Sequence, residues 1–130
     1  MLLSNNRDYT YNIKETEYPI GPDKNITPTE IHDYMHSLAL MAHGEPLEIR
    51  SYQVDGVYQA LYNKNAILLA ATGSGKSCIL YTVSRYITEK LGGRILIIVP
   101  TVGLTTQLRA DFADYSTANG YDVESNVHLI

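Results

Sequence analysis

The chain has 130 residues, 45% hydrophobic and 18% charged, which suffices for one buried core and is too apolar for a disordered chain. Fourteen acidic against ten basic residues give a formal charge of −4, which excludes a polybasic protein whose whole surface grips nucleic acid, though not a local phosphate contact through backbone N–H groups. A single cysteine, Cys78, excludes an internal disulfide; the apolar runs 66–71 and 95–100 are too short to span a bilayer, and polar residues from Ser4 leave no signal-peptide core.

The first 26 residues are polar and broken by Pro19, Gly21 and Pro22, with a weak alternation over 9–13 that allows a short strand. Thr27-Pro28-Thr29-Glu30 is a helix start, with Thr27 as N-cap, Pro28 in the first turn and Glu30 completing a capping box. Ile31, Tyr34, Met35, Leu38 and Ala42 follow at helical spacing, and Gly44 with Pro46 ends the run. A second helix is predicted over 52–62, with Val54, Val57, Tyr58 and Leu61 on one face.

The pattern then changes. Residues 66–70 form a continuous apolar run, as in a strand buried on both faces. Helical periodicity over 76–91 runs through Ile79, Leu80, Val83, Tyr86 and Ile87, and Gly92-Gly93 closes it. Residues 94–99 read as a second buried strand stopped by Pro100. Leu104, Leu108, Asp111 and Phe112 lie on a further helix ending near Tyr115, and 121–130 reads as the start of another strand. Strand and helix in alternation predict an α/β fold with a parallel sheet and right-handed crossovers. The eleven tyrosines, beside one Phe and no Trp, are read as half-buried packing residues rather than a stacking platform for bases.

The chemistry concentrates in Ala70-Ala71-Thr72-Gly73-Ser74-Gly75-Lys76-Ser77. It fits a phosphate-binding P-loop ending in G-K-S, with Ala70 where the first glycine of the general pattern stands. A strand delivers the chain to a tight turn whose N–H groups converge on a phosphate, and the following helix adds its positive end. Gly73 and Gly75 permit positive φ and close approach. Lys76 reaches the β/γ-phosphates, and the Ser77 hydroxyl sits where Mg²⁺ takes an oxygen ligand.

The stretch A-x-T-G-S-G-K-S resembles the phosphate loop of superfamily 2 helicases and translocases. Arg50-Ser51-Tyr52-Gln53 is similar to the adenine-recognition motif of that superfamily, and Pro100-Thr101-Val102-Gly103-Leu104-Thr105-Thr106-Gln107 to its motif Ia. The run from Arg94 to Gln107, with Asp111-Phe112 and Asp114-Tyr115 after it, closely resembles the UvsW-type helicases of tailed bacteriophages.

The resemblance implies a partial RecA-like P-loop domain over 46–130, preceded by an N-terminal arm with one helix over 1–45. It implies ATP and Mg²⁺ as cofactors, held by Thr72, Gly73, Ser74, Gly75, Lys76 and Ser77, with Lys76 as the catalytic lysine. Gln53 would read adenine through its amide, with Arg50 and Tyr52 flanking the base; an amide has the paired donor and acceptor that this edge needs. Thr101, Thr105, Thr106 and Gln107 would lie along a nucleic-acid backbone. The bland alternatives remain open: Tyr52 and Gln53 as a first helical turn, and the threonines as caps or helix-surface hydroxyls.

The implied parent is an ATP-dependent DNA helicase acting in the cytoplasm of a phage-infected bacterium, with DNA and a second RecA-like domain as partners and no membrane. A restriction translocase, an RNA helicase or a non-hydrolysing nucleotide-binding module are the alternatives. No Asp-Glu-x-His or Asp-Glu-x-Asp box occurs in the sequence, so this chain alone is expected to be inactive as a truncated front end. His32 and His36 share a helix face without a carboxylate or cysteine to complete a metal shell. Cys78, in the first turn after the phosphate loop, is read as a packing residue, although a helix N-terminus can lower a thiol pKa.

Overall fold

The computed structural model describes residues 2–3, 24–63 and 75–130. The strand expected over 66–70, the loop residues Thr72, Gly73 and Ser74, and the short strand expected over 9–13 lie outside the described residues. Helix α1 spans Pro28–Ser37, with Thr27 as N-cap accepting the Glu30 N–H at 3.2 Å and Pro28 in its first turn. Ile31 and Met35, one turn apart, are fully buried.

The helix stops earlier than its periodicity predicts. Ala42 is not on it: Ala39 takes φ 47° just past the C-cap Leu38, and Met41–Ala42 (β2) pairs antiparallel with Glu45–Pro46 (β3). The connecting residues His43 and Gly44 both have positive φ, the condition for a two-residue type I′ hairpin turn. Gly44 therefore makes a hairpin rather than a helix end. The turn is pinned to the rest of the molecule where the His43 N–H donates to Asp114 at 3.0 Å.

Helix α2 spans Ser51–Tyr62 and α3 spans Lys76–Lys90; they pack against each other where Gly56 meets Ile79. A Cβ added at Gly56 would stand 3.1 Å from the Ile79 Cδ1, so the absence of a side chain sets how closely the helices approach. Helix α4, Val102–Tyr115, covers another side of α3 through Leu108, Phe112 and Tyr115. Because α3 lies between neighbours, its buried residues are not the single stripe that periodicity suggests. Cys78, Ile79, Tyr81, Thr82, Ser84 and Arg85 are buried, whereas Leu80 is exposed.

The polar members of that set are satisfied locally. The Thr82 hydroxyl donates to the Cys78 carbonyl at 2.9 Å. The Tyr81 hydroxyl receives Arg85 at 2.6 Å and Asn119 at 3.1 Å and shares a bond with Ser116 at 2.7 Å. Arg85 also pairs with Glu89 and lies over the Tyr121 ring at 4.1 Å. The tyrosines thus act mainly as packing residues with a polar tip, as composition suggested: Tyr81 and Tyr115 are buried, and Tyr34, Tyr58, Tyr62, Tyr86 and Tyr121 half-buried.

Two strand expectations change. Within 94–99 only Ile95–Leu96 (β4) is paired, antiparallel to Leu2–Leu3 (β1), in register Leu2 with Leu96 and Leu3 with Ile95. It is not buried on both faces: Ile97 is buried, Ile98 is 84% exposed, and alternation sends successive side chains to opposite sides. Among the described residues every strand pairing is antiparallel, and the predicted parallel neighbour over 66–70 is not among them. The segment 121–130 is not a strand start but a four-residue helix, Val123–Asn126 (α5), capped by Asp122, which accepts the Ser125 N–H and hydroxyl. A competent N-cap with Val123 and Val127 buried outweighs the weak strand pattern.

Among the described residues, no helix is long and apolar enough to cross a membrane.

Candidate functional site

The site assembles where the starts of α2 and α3 meet. Arg50 is the extended N-cap residue of α2, which places Tyr52 and Gln53 in its first turn. Gln53 is 4% exposed, and its Oε1 accepts the Arg50 N–H at 2.9 Å, so the carboxamide closes the reciprocal half of a capping box. That bond fixes which way the amide points, since an N–H requires the oxygen as acceptor. The Nε2 end then faces Gly75, where an added Cβ would collide with it.

Gly75 is the N-cap of α3 with φ 81° and ψ 36°, the left-handed region that a Cβ disfavours. It has no side chain to cap the helix, and Cys78 N–H and Ile79 N–H turn back to its carbonyl at 3.1 and 3.3 Å. Among the described residues no side chain caps this fifteen-residue helix, and its positive end suits a negatively charged ligand. Lys76 is exposed at the first helical position, and Ser77 is half-buried at the second.

The Ser77 hydroxyl has a partner that sequence reasoning missed. It lies 2.5 Å from the Tyr115 hydroxyl, contributed by the last residue of α4. The two residues are 38 positions apart, and no motif links them. Burial raises the Tyr115 phenol above its usual 10.0, with the Ser77 bond acting in the opposite direction.

The remaining predicted residues separate into two places. Arg50 donates from Nη1 to the Tyr52 hydroxyl at 3.2 Å, with both side chains exposed, beside the Gln53 turn. Thr101, Thr105, Thr106 and Gln107 lie at the N-terminal end of α4, the end opposite Tyr115. Thr101 is the N-cap there, accepting the Leu104 N–H at 3.2 Å. Thr105 and Thr106 return their hydroxyls to the carbonyls of Thr101 and Val102, each at 3.2 Å. Capping and back-bonding account for all three hydroxyls; Thr101, Thr106 and Gln107 remain exposed.

Cys78 is buried, and burial pushes its thiol up to about 11, with Thr82 pulling slightly the other way. The helix N-terminus does not activate it; packing wins. His32 and His36 are exposed, with ring centroids 4.2 Å apart, and each Nδ1 has an oxygen partner, Asp33 Oδ1 for His32 and the His32 carbonyl for His36. Among the described residues, no group of three His, Cys, Asp or Glu side chains could hold a metal.

The chain is similar to proteins of known family. Residues 46–128 match the family described as type III restriction enzyme, res subunit, covering both starts of the site and all of α4. The ATP-dependent DNA helicase uvsW of Enterobacteria phage T4 is 36% identical over 96 residues, which are 74% of this chain and 19% of that protein. The crystal structure of the UvsW helicase from bacteriophage T4 superposes with a TM-score of 0.67 at 35% identity, over 73% of this chain and 34% of the solved one. The chain thus spans about a fifth of the length of the curated relative it matches. With a family match that takes in most of the chain, from the strand β3 to the residues after α5, the chain belongs to the type III restriction enzyme res-subunit family of superfamily 2 helicases.

Proposed function

We propose that this chain is the nucleotide-binding front of an ATP-dependent superfamily 2 DNA helicase, with a partial RecA-like domain over 46–130 and an N-terminal arm over 1–45. The observation that carries the reading is the contact between Gln53 and Gly75, which brings the adenine-type motif against the phosphate-type motif across the α2–α3 interface. Residues Thr72 to Ser77 hold the ATP phosphates, with Lys76 as the charge that reaches the β/γ-phosphates. Gln53 reads the adenine through its amide, which has the paired donor and acceptor that this edge needs, and Arg50 with Tyr52 flanks the base. Thr101, Thr105, Thr106 and Gln107 lie along the DNA backbone.

Ser77 fits a magnesium site in its donor chemistry: a hard hydroxyl oxygen, half-buried, at the second position of an uncapped helix. Mg²⁺ bound with ATP supplies charge neutralisation across the phosphates. The sequence carries no Asp-Glu box to orient water, so this chain by itself binds nucleotide without turning it over. Phosphate release no faster than in Lys76→Ala, with or without single-stranded DNA, is the expected result.

Titration with a fluorescent ATP analogue tests the phosphate assignment. Lys76→Ala removes a charge-assisted contact and should weaken binding by at least about tenfold. Equal affinity in a folded Lys76→Ala chain would sink it. For the base, Gln53→Glu is the better variant than alanine, because it keeps an acceptor for the Arg50 N–H while removing the NH₂ donor. The ratio of ATP to GTP affinity should fall, and an unchanged ratio removes Gln53 from base selection.

The family description favours a second reading, a DNA translocase of restriction-enzyme type that moves along duplex without separating strands. The whole protein distinguishes them: unwinding of a forked duplex supports the helicase, and triplex displacement without unwinding supports the translocase.

A further inference from the structure

We propose that Tyr115 is a positioning residue for the metal ligand: its phenol oxygen accepts the Ser77 proton and so leaves the Ser77 oxygen free to bind Mg²⁺. This rests on the phosphate-loop reading above and names a residue outside all the motifs that suggested it. A serine hydroxyl binds a cation through its oxygen lone pairs, so its proton must point away to an acceptor. Among the described residues, the side-chain partner of this oxygen is the Tyr115 hydroxyl, at 2.5 Å.

The phenol is held in place from several sides. Tyr115 is 9% exposed, and its ring centroid lies 5.5 Å from that of Tyr81. Tyr81 is itself fully buried, with its hydroxyl bonded to Ser116, Arg85 and Asn119. Phe112, one turn before Tyr115 on α4, packs edge-on against the same Tyr81 ring at 5.2 Å. Swinging the phenol away from Ser77 would therefore disturb a buried cluster, whereas a solvated hydroxyl partner would exchange freely with water. The bond also ties the last residue of α4 to the second residue of α3, so the helix bearing Thr101 to Gln107 is joined directly to the proposed metal ligand.

The test compares the affinity of the 130-residue chain for a methylanthraniloyl-labelled ADP in Mg²⁺ and in EDTA. The ratio of the two affinities is the gain due to the metal. Tyr115→Phe keeps the ring and removes only the acceptor oxygen; it should cut that ratio by roughly three- to tenfold, the worth of one neutral hydrogen bond, and leave the EDTA affinity unchanged. Ser77→Ala should remove the gain, and adding Tyr115→Phe to it should change nothing more. If Tyr115→Phe fails to fold, Tyr115→Leu, an apolar side chain with no acceptor, must give the same selective loss.

A Tyr115→Phe chain with an unchanged ratio, or with affinity lowered equally in Mg²⁺ and EDTA, overturns the proposal. So does a wild-type chain that binds ADP through Lys76 with no gain from Mg²⁺, which would leave the phosphate reading standing. Binding indifferent to Lys76→Ala would instead bring down the phosphate reading, and this proposal with it.

Discussion

Gly75 is under two independent constraints. Its φ of 81° disfavours any L side chain, and a Cβ there would overlap the Gln53 amide, which cannot retreat because its oxygen holds the Arg50 N–H. Gly75→Ala should therefore lower stability by more than the ~1–2 kcal/mol of a left-handed residue alone, measured by urea unfolding. Restoring room with Gln53→Ala in the same chain should recover part of the loss, since the two residues share the space. Additive losses would mean that Gln53 and Gly75 are not in contact.

Among elements, α4 shows how one residue type can satisfy two readings. Thr101 caps the helix whatever else it touches, so a substitution aimed at nucleic-acid contact must preserve the cap. Thr101→Ala should cost about 1 kcal/mol of stability, while Thr101→Asp keeps an acceptor for the Leu104 N–H and stays within a few tenths of wild type. Denaturant midpoints check the first half. Retention on single-stranded DNA checks the second: Asp should weaken it by charge repulsion if Thr101 lies beside phosphates. If Asp binds DNA as wild type does, the hydroxyl serves the helix alone.

At the scale of the whole molecule, alkaline pH should undo the core around α3. Cys78 is pushed by burial from 9.0 to about 11, and Tyr121 by burial from 10.0 to about 12, with Arg85 acting against that rise. Tyr34 is also raised, by burial and then by the Glu89 carboxylate that accepts its hydroxyl at 3.0 Å. Between the unfolded and folded values, the unfolded chain releases protons that the folded chain retains. Stability is therefore whole below about pH 9 and falls as pH rises through these folded values. Melting followed by circular dichroism should show a declining midpoint from about pH 9 upward, with delayed phenolate absorbance in the folded chain. A midpoint that stays level to about pH 10.5 contradicts it.

The sequence alone determined where α1 and α3 start, because the Thr27 cap, Pro28 and the glycine before Lys76 act through neighbours a few residues away. Periodicity located α1 to α4 to within a few residues, but it assigned Ala42 to a helix that local backbone geometry had already ended at Leu38. It also chose Leu80 for a buried face, since a pattern of apolar residues does not reveal that a helix has neighbours on more than one side. Tertiary structure alone decided that Arg85 and Thr82 are buried: helical spacing already places Tyr81 and Glu89 beside the guanidinium, but only packing brings Tyr121 over it. It decided, too, that Gln53 meets Gly75 and that Tyr115 meets Ser77. Both contacts join residues far apart in the chain, and their geometry comes from how α2, α3 and α4 pack, which no local motif encodes.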